Sequence, residues 1–331
     1  MKFGLWICAA LLMGGPAMAQ QGATTPMVPT PKLPTPISQA TLSLGTATPG
    51  GGFPLYGDAF AAVMNAADPT LVLQTRNTKG STENIPLLEE GRLDLALVAG
   101  EPAYEAFKGI RRAPTKLKIL TAIYSSPGMF VVRADSPYKT IRDLVGKPVA
   151  FGAKGSGLVF LSRYVLDGLG LDQDKDFQAV YLDSAGEGPA MVLDGRVAAL
   201  WGAGIGWPGF KAMSESPGGA RFIAPDAAEI AQIRGKHSFL KPLLIGANSY
   251  PNQPVPIASL GSWSYILARE TLPDDVAYRL AKTLHGAEAS FGAKLPQALE
   301  TTASNTVAAA PELGMIHPGV LRYYREIGLV K

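Results

Sequence analysis

From residue 40 onward the apolar residues recur with two alternating spacings. Short runs dense in branched and aromatic side chains read as buried strands at 40–44, 70–75, 93–99, 118–124, 129–133, 147–151, 178–182, 197–201 and 264–268. Between them, apolar residues three and four apart predict helices over 56–66, 83–90, 158–168 and 274–291. A short helix at 140–144 is stopped by Gly146. This alternation implies an α/β fold with a mostly parallel sheet. Such sheets bind ligands in crevices beyond the C-terminal ends of their strands. No repeat of fixed period runs through the chain.

Two of the strand-to-helix junctions are rich in glycine. Gly45-Thr-Ala-Thr-Pro-Gly-Gly-Gly-Phe-Pro-Leu55 follows the first strand, and Thr78-Lys-Gly-Ser-Thr-Glu-Asn84 follows the second. A third turn of this kind is Ser184-Ala-Gly-Glu-Gly-Pro189. Such turns expose backbone N–H groups at the positive end of a helix, where a carboxylate or phosphate is stabilised. The first two in succession, at 45–55 and 78–84, point to a site for a small anionic solute.

The N-terminus changes the picture. Residues 1–19 read as a cleavable signal peptide: Lys2 is the only charge, 5–13 form the apolar core, and Ala17-Met-Ala19 supplies the small residues before the cut. The stretch is too short for a membrane span. Periplasmic localisation is therefore expected. Residues 20–39 carry Pro26, Pro29, Pro31, Pro34 and Pro36 and read as an extended linker. About 290 residues remain, enough for two lobes of ordinary domain size. The single cysteine, Cys8, lies in the signal segment, so no disulfide or cysteine-based metal site is expected beyond it. The formal charge of +3 is too mild to suggest nucleic acid or an anionic membrane as partner.

Several ordered motifs resemble one family. Thr78-Lys-Gly-Ser-Thr-Glu-Asn84 with Gly91-Arg-Leu-Asp-Leu-Ala-Leu-Val98 is similar to the first-lobe signature of the TAXI family, the extracytoplasmic solute receptors of one branch of the tripartite (TRAP) transporters. Val131-Val-Arg-Ala-Asp-Ser136 and Ile141-Arg-Asp-Leu-Val-Gly-Lys147 resemble the family's entry into its second lobe. Gly152-Ala-Lys-Gly-Ser-Gly157 resembles the second-lobe ligand loop, and His317-Pro-Gly-Val-Leu-Arg-Tyr-Tyr-Arg-Glu-Ile-Gly328 the closing helix. The resemblance spans nearly all of 40–331. It implies a type II periplasmic binding protein fold, two α/β lobes joined by a hinge with the solute between them. The first crossover is expected near Ser125–Pro127 and the return near 270–273, giving lobe 1 as 40–125 plus 272–331 and lobe 2 as 126–271. It further implies integral membrane transporter subunits as partners, a monomer, and a glutamate- or 2-oxoglutarate-like acid as ligand. The sequence departs from the family pattern at Ala47-Thr48-Pro49, at Gly52-Phe53, at Lys154 and Leu158, and at Glu101. These departures bear on the ligand rather than on the fold.

On this basis Thr46, Thr48 and the amides of Gly50, Gly51 and Gly52 are expected to hold an oxyanion from lobe 1, with Ser81 and Asn84 beside them. From lobe 2, Lys154, Ser156, the amide of Gly157 and Arg163 are candidates for a second acidic group. Glu101 would suit a ligand amine. Phe53, Tyr56, Tyr124, Trp201 and Trp207 are candidate walls, since pockets are mostly apolar. Plainer readings stand beside these: a tight turn at Gly50–Gly52, helix-start roles for Ser81 and Asn84, and solvated charges at Lys154 and Arg163. An enzyme is disfavoured. There is no Gly-x-Ser-x-Gly, no His-Glu-x-x-His, and the three histidines are scattered without metal-ligand spacing. No cofactor is expected. A receptor for an ABC importer or a sensor kinase would share the fold and the cleft.

Overall fold

The computed structural model describes residues 39–331. The signal-peptide reading, and the linker reading apart from Gln39, fall outside the described residues. Two five-stranded sheets organise the chain. It runs β1 (Ala40–Gly45), α1 (Gly52–Ala67), β2 (Leu71–Arg76), α2 (Ser81–Glu89), β3 (Leu95–Val98), α3 (Gly100–Lys108) and β4 (Lys118–Ser125). It then enters the second sheet with β5 (Gly128–Arg133), β6 (Pro148–Ala153), α4 (Gly157–Gly168), β7 (Gln178–Leu182), α5 (Gly188–Leu193), β8 (Ala199–Ala203), α6 (Pro208–Ser214), β9 (Ala220–Ile223) and α7 (Ala227–Lys236). A hairpin of β10 (Lys241–Ile245) and β11 (Ile257–Gly261) leads to β12 (Trp263–Ala268) and α8 (Asp274–Lys294).

The first sheet has the order β2-β1-β3-β12-β4 and the second β7-β6-β8-β5-β9. In each sheet one strand runs against the others: β12 pairs antiparallel with β3 and β4, and β5 pairs antiparallel with β8 and β9. Those two strands are the ones that arrive from the other half of the chain. The architecture is the two-lobe type II periplasmic binding fold. One boundary differs from expectation. The strand at 264–268 was placed before the return from the second lobe, but its register with β3 and β4 puts it inside the first sheet. The return therefore lies at Gly261-Ser262.

Strand alternation builds the second core. In β5, Phe130 and Val132 face one layer with Phe151 and Trp201, while Met129 and Val131 face the other with Leu200 and Phe210. β3 is buried along its whole length, as a central strand covered on both faces must be. Above it α1 buries Tyr56, Phe60 and Met64, a stripe at four-residue spacing. Strands β9, β10 and β11 have no counterpart in the sequence reading: β9 and β10 mix charged and apolar residues, and most of their positions are only partly buried or exposed. Among the described residues, no helix is long and apolar enough to cross a membrane.

Candidate ligand-binding cleft

Three helices open on glycine at the mouth of one cavity. α1 begins at Gly52, α3 at Gly100 and α4 at Gly157, the first two from the first lobe and the third from the second. Each glycine permits a close approach. A Cβ on Gly52 would sit 3.2 Å from the Tyr124 hydroxyl, one on Gly100 would strike Ser262, and one on Gly157 would lie 2.1 Å from Ala99 Cβ across the cleft. The first-turn N–H groups of a helix have no carbonyl four residues back, so these ends carry partial positive charge and free donors.

The cavity between them, its open mouth included, has about 590 Å³ of empty space, the scale of a site for a small solute. Thr48, Gly51, Gly52, Phe53, Glu101 and Tyr124 line it from the first lobe, and Ser156, Gly157 and Trp207 from the second. The sequence reading missed Ser126 and Ser264, which flank the crossings between lobes and share a hydrogen bond of 3.3 Å. It also missed Ala99, Leu161 and Ala185, whose small or aliphatic side chains gave no chemical signal, while Leu158, noted only as a departure from the family pattern, lines the cavity too. Ala185 sits in the third glycine-rich turn, which was legible as a turn but not as a cleft wall.

Among the described residues no lysine, arginine or histidine lines this cavity, and the one carboxyl that does is Glu101. It is 1% exposed, and its Oε1 accepts a 2.6 Å hydrogen bond from Ser262 Oγ. Burial pushes its pKa up to about 7, against the opposing pull of the Ser262 bond. The Tyr124 hydroxyl has no hydrogen-bond partner among the described residues, and burial raises its pKa as well. Ser156 Oγ accepts from the Leu158 amide, capping α4 and holding the loop against the cleft.

The two lobes touch around the cavity. Ser184 Oγ donates to the Pro49 carbonyl at 2.8 Å, and the Ala185 amide to Thr48 Oγ1 at 3.3 Å. Thr82 donates to the Gly155 carbonyl through both its amide and its hydroxyl. On the far side Tyr164 OH donates to Glu105 Oε1 at 2.8 Å, and Tyr104 stacks on Phe239 with centroids 4.1 Å apart. Gly50, in the left-handed region at φ 78°, leaves no room for a Cβ, which would lie 2.5 Å from Gly186 Cα.

A sequence model of the NMT1-like family matches residues 44–328. The chain belongs to that family. Among solved structures it is similar to the periplasmic aliphatic sulphonate binding protein SsuA from Escherichia coli, at 20% identity over 87% of this chain and 84% of that one, with a TM-score of 0.49. It is similar to the alkanesulfonate-binding protein SsuA from Xanthomonas axonopodis pv. citri at 17% identity, over 87% of this chain and 84% of that one, with a TM-score of 0.49. It is similar to a putative L-cystine ABC transporter from Listeria monocytogenes at 14% identity, over 77% and 94%, with a TM-score of 0.48.

In this NMT1-like chain several expected ligand contacts serve the scaffold instead. Thr46 is fully buried, its hydroxyl directed to the Arg76 carbonyl and Asn77 Oδ1 at the end of β1. Asn84 donates to the carbonyls of Thr46 and Leu97, tying α2 to β1 and β3. Ser81 Oγ accepts from the Ala99 amide. Tyr56 is buried beneath the cleft against Thr301, at 2.8 Å, and Phe291. Trp201 packs in the second-lobe core, 4.7 Å from Phe130. Its place on the inward face of β8 was indistinguishable from a cleft position by sequence. Lys154 points to solvent, 68% exposed, paired with Asp183 at 3.0 Å. Arg163 lies over Phe160 on the outer side of α4 and does not line the cavity. Gly50 contacts Gly186 across the cleft rim rather than lining the cavity. Among the described residues no cluster of His, Cys, Asp or Glu is placed to hold a metal ion.

Proposed function

We propose that this chain is the extracytoplasmic solute-binding subunit of a TRAP transporter of the TAXI type, without enzymatic activity, and that its ligand is a small carboxylate. The observation that carries the reading is the cavity itself: an interlobe site bordered by the N-termini of α1, α3 and α4, rich in donors and free of cationic side chains. Donors at helix ends hold a carboxylate without a salt bridge. In this reading the ligand carboxylate lies between the amides at Gly52 and Gly157, with the Tyr124 and Ser126 hydroxyls as further donors, and Phe53 and Trp207 as walls. The signal peptide at 1–19 delivers the chain to the periplasm, 20–39 tethers it, and the chain works as a monomer. Lobe 1 carries the first sheet and lobe 2 the second. Ligand favours the closed form because its second-lobe contacts exist only there, and the membrane subunits read that closure. The mature protein is screened for thermal stabilisation by carboxylates, sulfonates, sugars and cations, and the bound solute is then released by denaturation and weighed by mass spectrometry. Stabilisation by small carboxylates, recovered unchanged, is expected. Recovery of a modified product, or saturable binding only of cations or uncharged sugars, overturns the reading.

A further inference from the structure

Among the described residues Glu101 is the one carboxyl that lines the cavity. Its Oε1 is taken by Ser262 Oγ at 2.6 Å, in the turn where the chain returns from the second lobe to the first. Its own backbone N–H is the carboxylate's other hydrogen-bond donor. The charged and titratable groups around it offer no cation. Glu105 follows one turn later on α3 and is itself held by Tyr164 of α4; β12 brings Tyr265, β4 brings Tyr124, and α2 presents Ser81 at the neighbouring Ala99 amide. Two carboxylates sharing a site without a cation do not both stay ionised; one of them keeps a proton.

We propose, building on the carboxylate-receptor reading above, that Glu101 meets the ligand as a carboxylic acid, so that wherever Glu101 is ionised before binding, capture of one carboxylate takes up one proton from solvent, held on Glu101 and shared with a ligand oxygen. The balance is simple: Glu101 carboxylate plus a solvent proton plus the ligand anion give a neutral acid hydrogen-bonded to the bound anion. The proton comes readily near neutrality because burial, set against the hydrogen bonds from Ser262 and from its own amide, already holds Glu101 at about 7. Glu101 then becomes a donor in the pocket, and it selects against a second ligand charge at that end. A ligand bearing an ammonium group there would do the reverse, drawing Glu101 into its ionised form and releasing a proton.

The sign of proton exchange decides between them. The mature protein is titrated calorimetrically with pyruvate, 2-oxoglutarate and L-glutamate, from about pH 6 to about pH 9, in phosphate and in Tris. The difference in heat between buffers gives the protons exchanged, and linkage predicts an affinity falling about tenfold per pH unit above 7. Glu101→Gln should abolish both the uptake and the slope, since the amide is a permanent neutral donor. Binding with no uptake at about pH 8 to 9, with proton release, or with the same slope in Glu101→Gln overturns the proposal and leaves the carboxylate receptor intact. Failure of every carboxylate, with saturable binding of sugars or cations instead, overturns both. A ligand-free arm stands apart from the panel: carbon-13 carboxyl NMR, with Glu101→Gln assigning the signal, should show Glu101 titrating near 7, and titration near an ordinary glutamate value overturns the proposal.

Discussion

Replacing Glu101 by glutamine should stabilise the ligand-free protein, and by an amount that grows with pH. Glu101 is 1% exposed and its pKa is pushed from 4.5 to about 7, chiefly by burial. A carboxyl whose pKa is raised by folding favours the native state in its neutral form. Its contribution is therefore fully present below about pH 4.5 and is lost as pH rises through about 7. At about 1.4 kcal/mol per unit, the raised pKa corresponds to roughly 3 kcal/mol of stability forfeited by the wild type at pH 8. Glutamine keeps the acceptor for Ser262 Oγ and never ionises, so it does not incur that loss. Urea unfolding of both proteins between about pH 5 and about pH 8.5 isolates the effect, because every other titrating group cancels in the difference. The curves should be close at the acid end and separate by about 1–3 kcal/mol at the alkaline end, a rise in Tm of several degrees. A separation that stays constant across the range would show that Glu101 is ionised in the folded protein over the whole interval, and the argument from burial would fail.

Gly157→Ala should leave unfolding midpoints nearly unchanged but prevent full closure. The new methyl would meet Ala99 of the opposite lobe at 2.1 Å while clearing its own lobe. Small-angle scattering at saturating ligand should stay at the open profile and affinity should fall by at least tenfold; wild-type contraction in this variant would refute the contact. Lys154→Ala should alter neither affinity nor stability by more than about 0.5 kcal/mol, because an exposed ion pair contributes little; a large affinity loss by calorimetry would return Lys154 to the site. Tyr124→Phe removes a hydroxyl that has no protein partner, so the free protein should hold its Tm while ligand binding weakens by about 0.5–1.5 kcal/mol, the usual net value of one hydrogen bond. Unchanged affinity would remove Tyr124 from the donor set.

The local pattern of the chain determined most of its central strands and the helices between them. Apolar runs and helical spacings placed β1 to β8, because buried central strands must be continuously apolar and surface helices must bury one stripe. The glycine-rich turn at Gly51-Gly52 was legible as a helix start that exposes amides, and it lines the cavity, whereas the turn at 78–84, legible in the same way, does not. The sequence could not say which polar side chains at those turns face the ligand. Ser81 and Thr46 carry hydroxyls like those of Ser126 and Ser264, and Asn84 an amide as polar, yet these three are spent satisfying buried backbone groups, as interior strand ends demand. Nor could it place β12, whose apolar run fits either lobe; only hydrogen bonding to β3 and β4 assigns it to the first. The weakest expectations, Lys154 and Arg163, came from charge alone, and a long charged side chain goes where solvation takes it unless the tertiary structure offers a desolvated partner. Glu101 was visible as an oddity after a buried strand. That it is the lone carboxyl of a cavity without cations was decided by the meeting of two lobes, because the groups that set its charge come from strands and helices far apart in the chain.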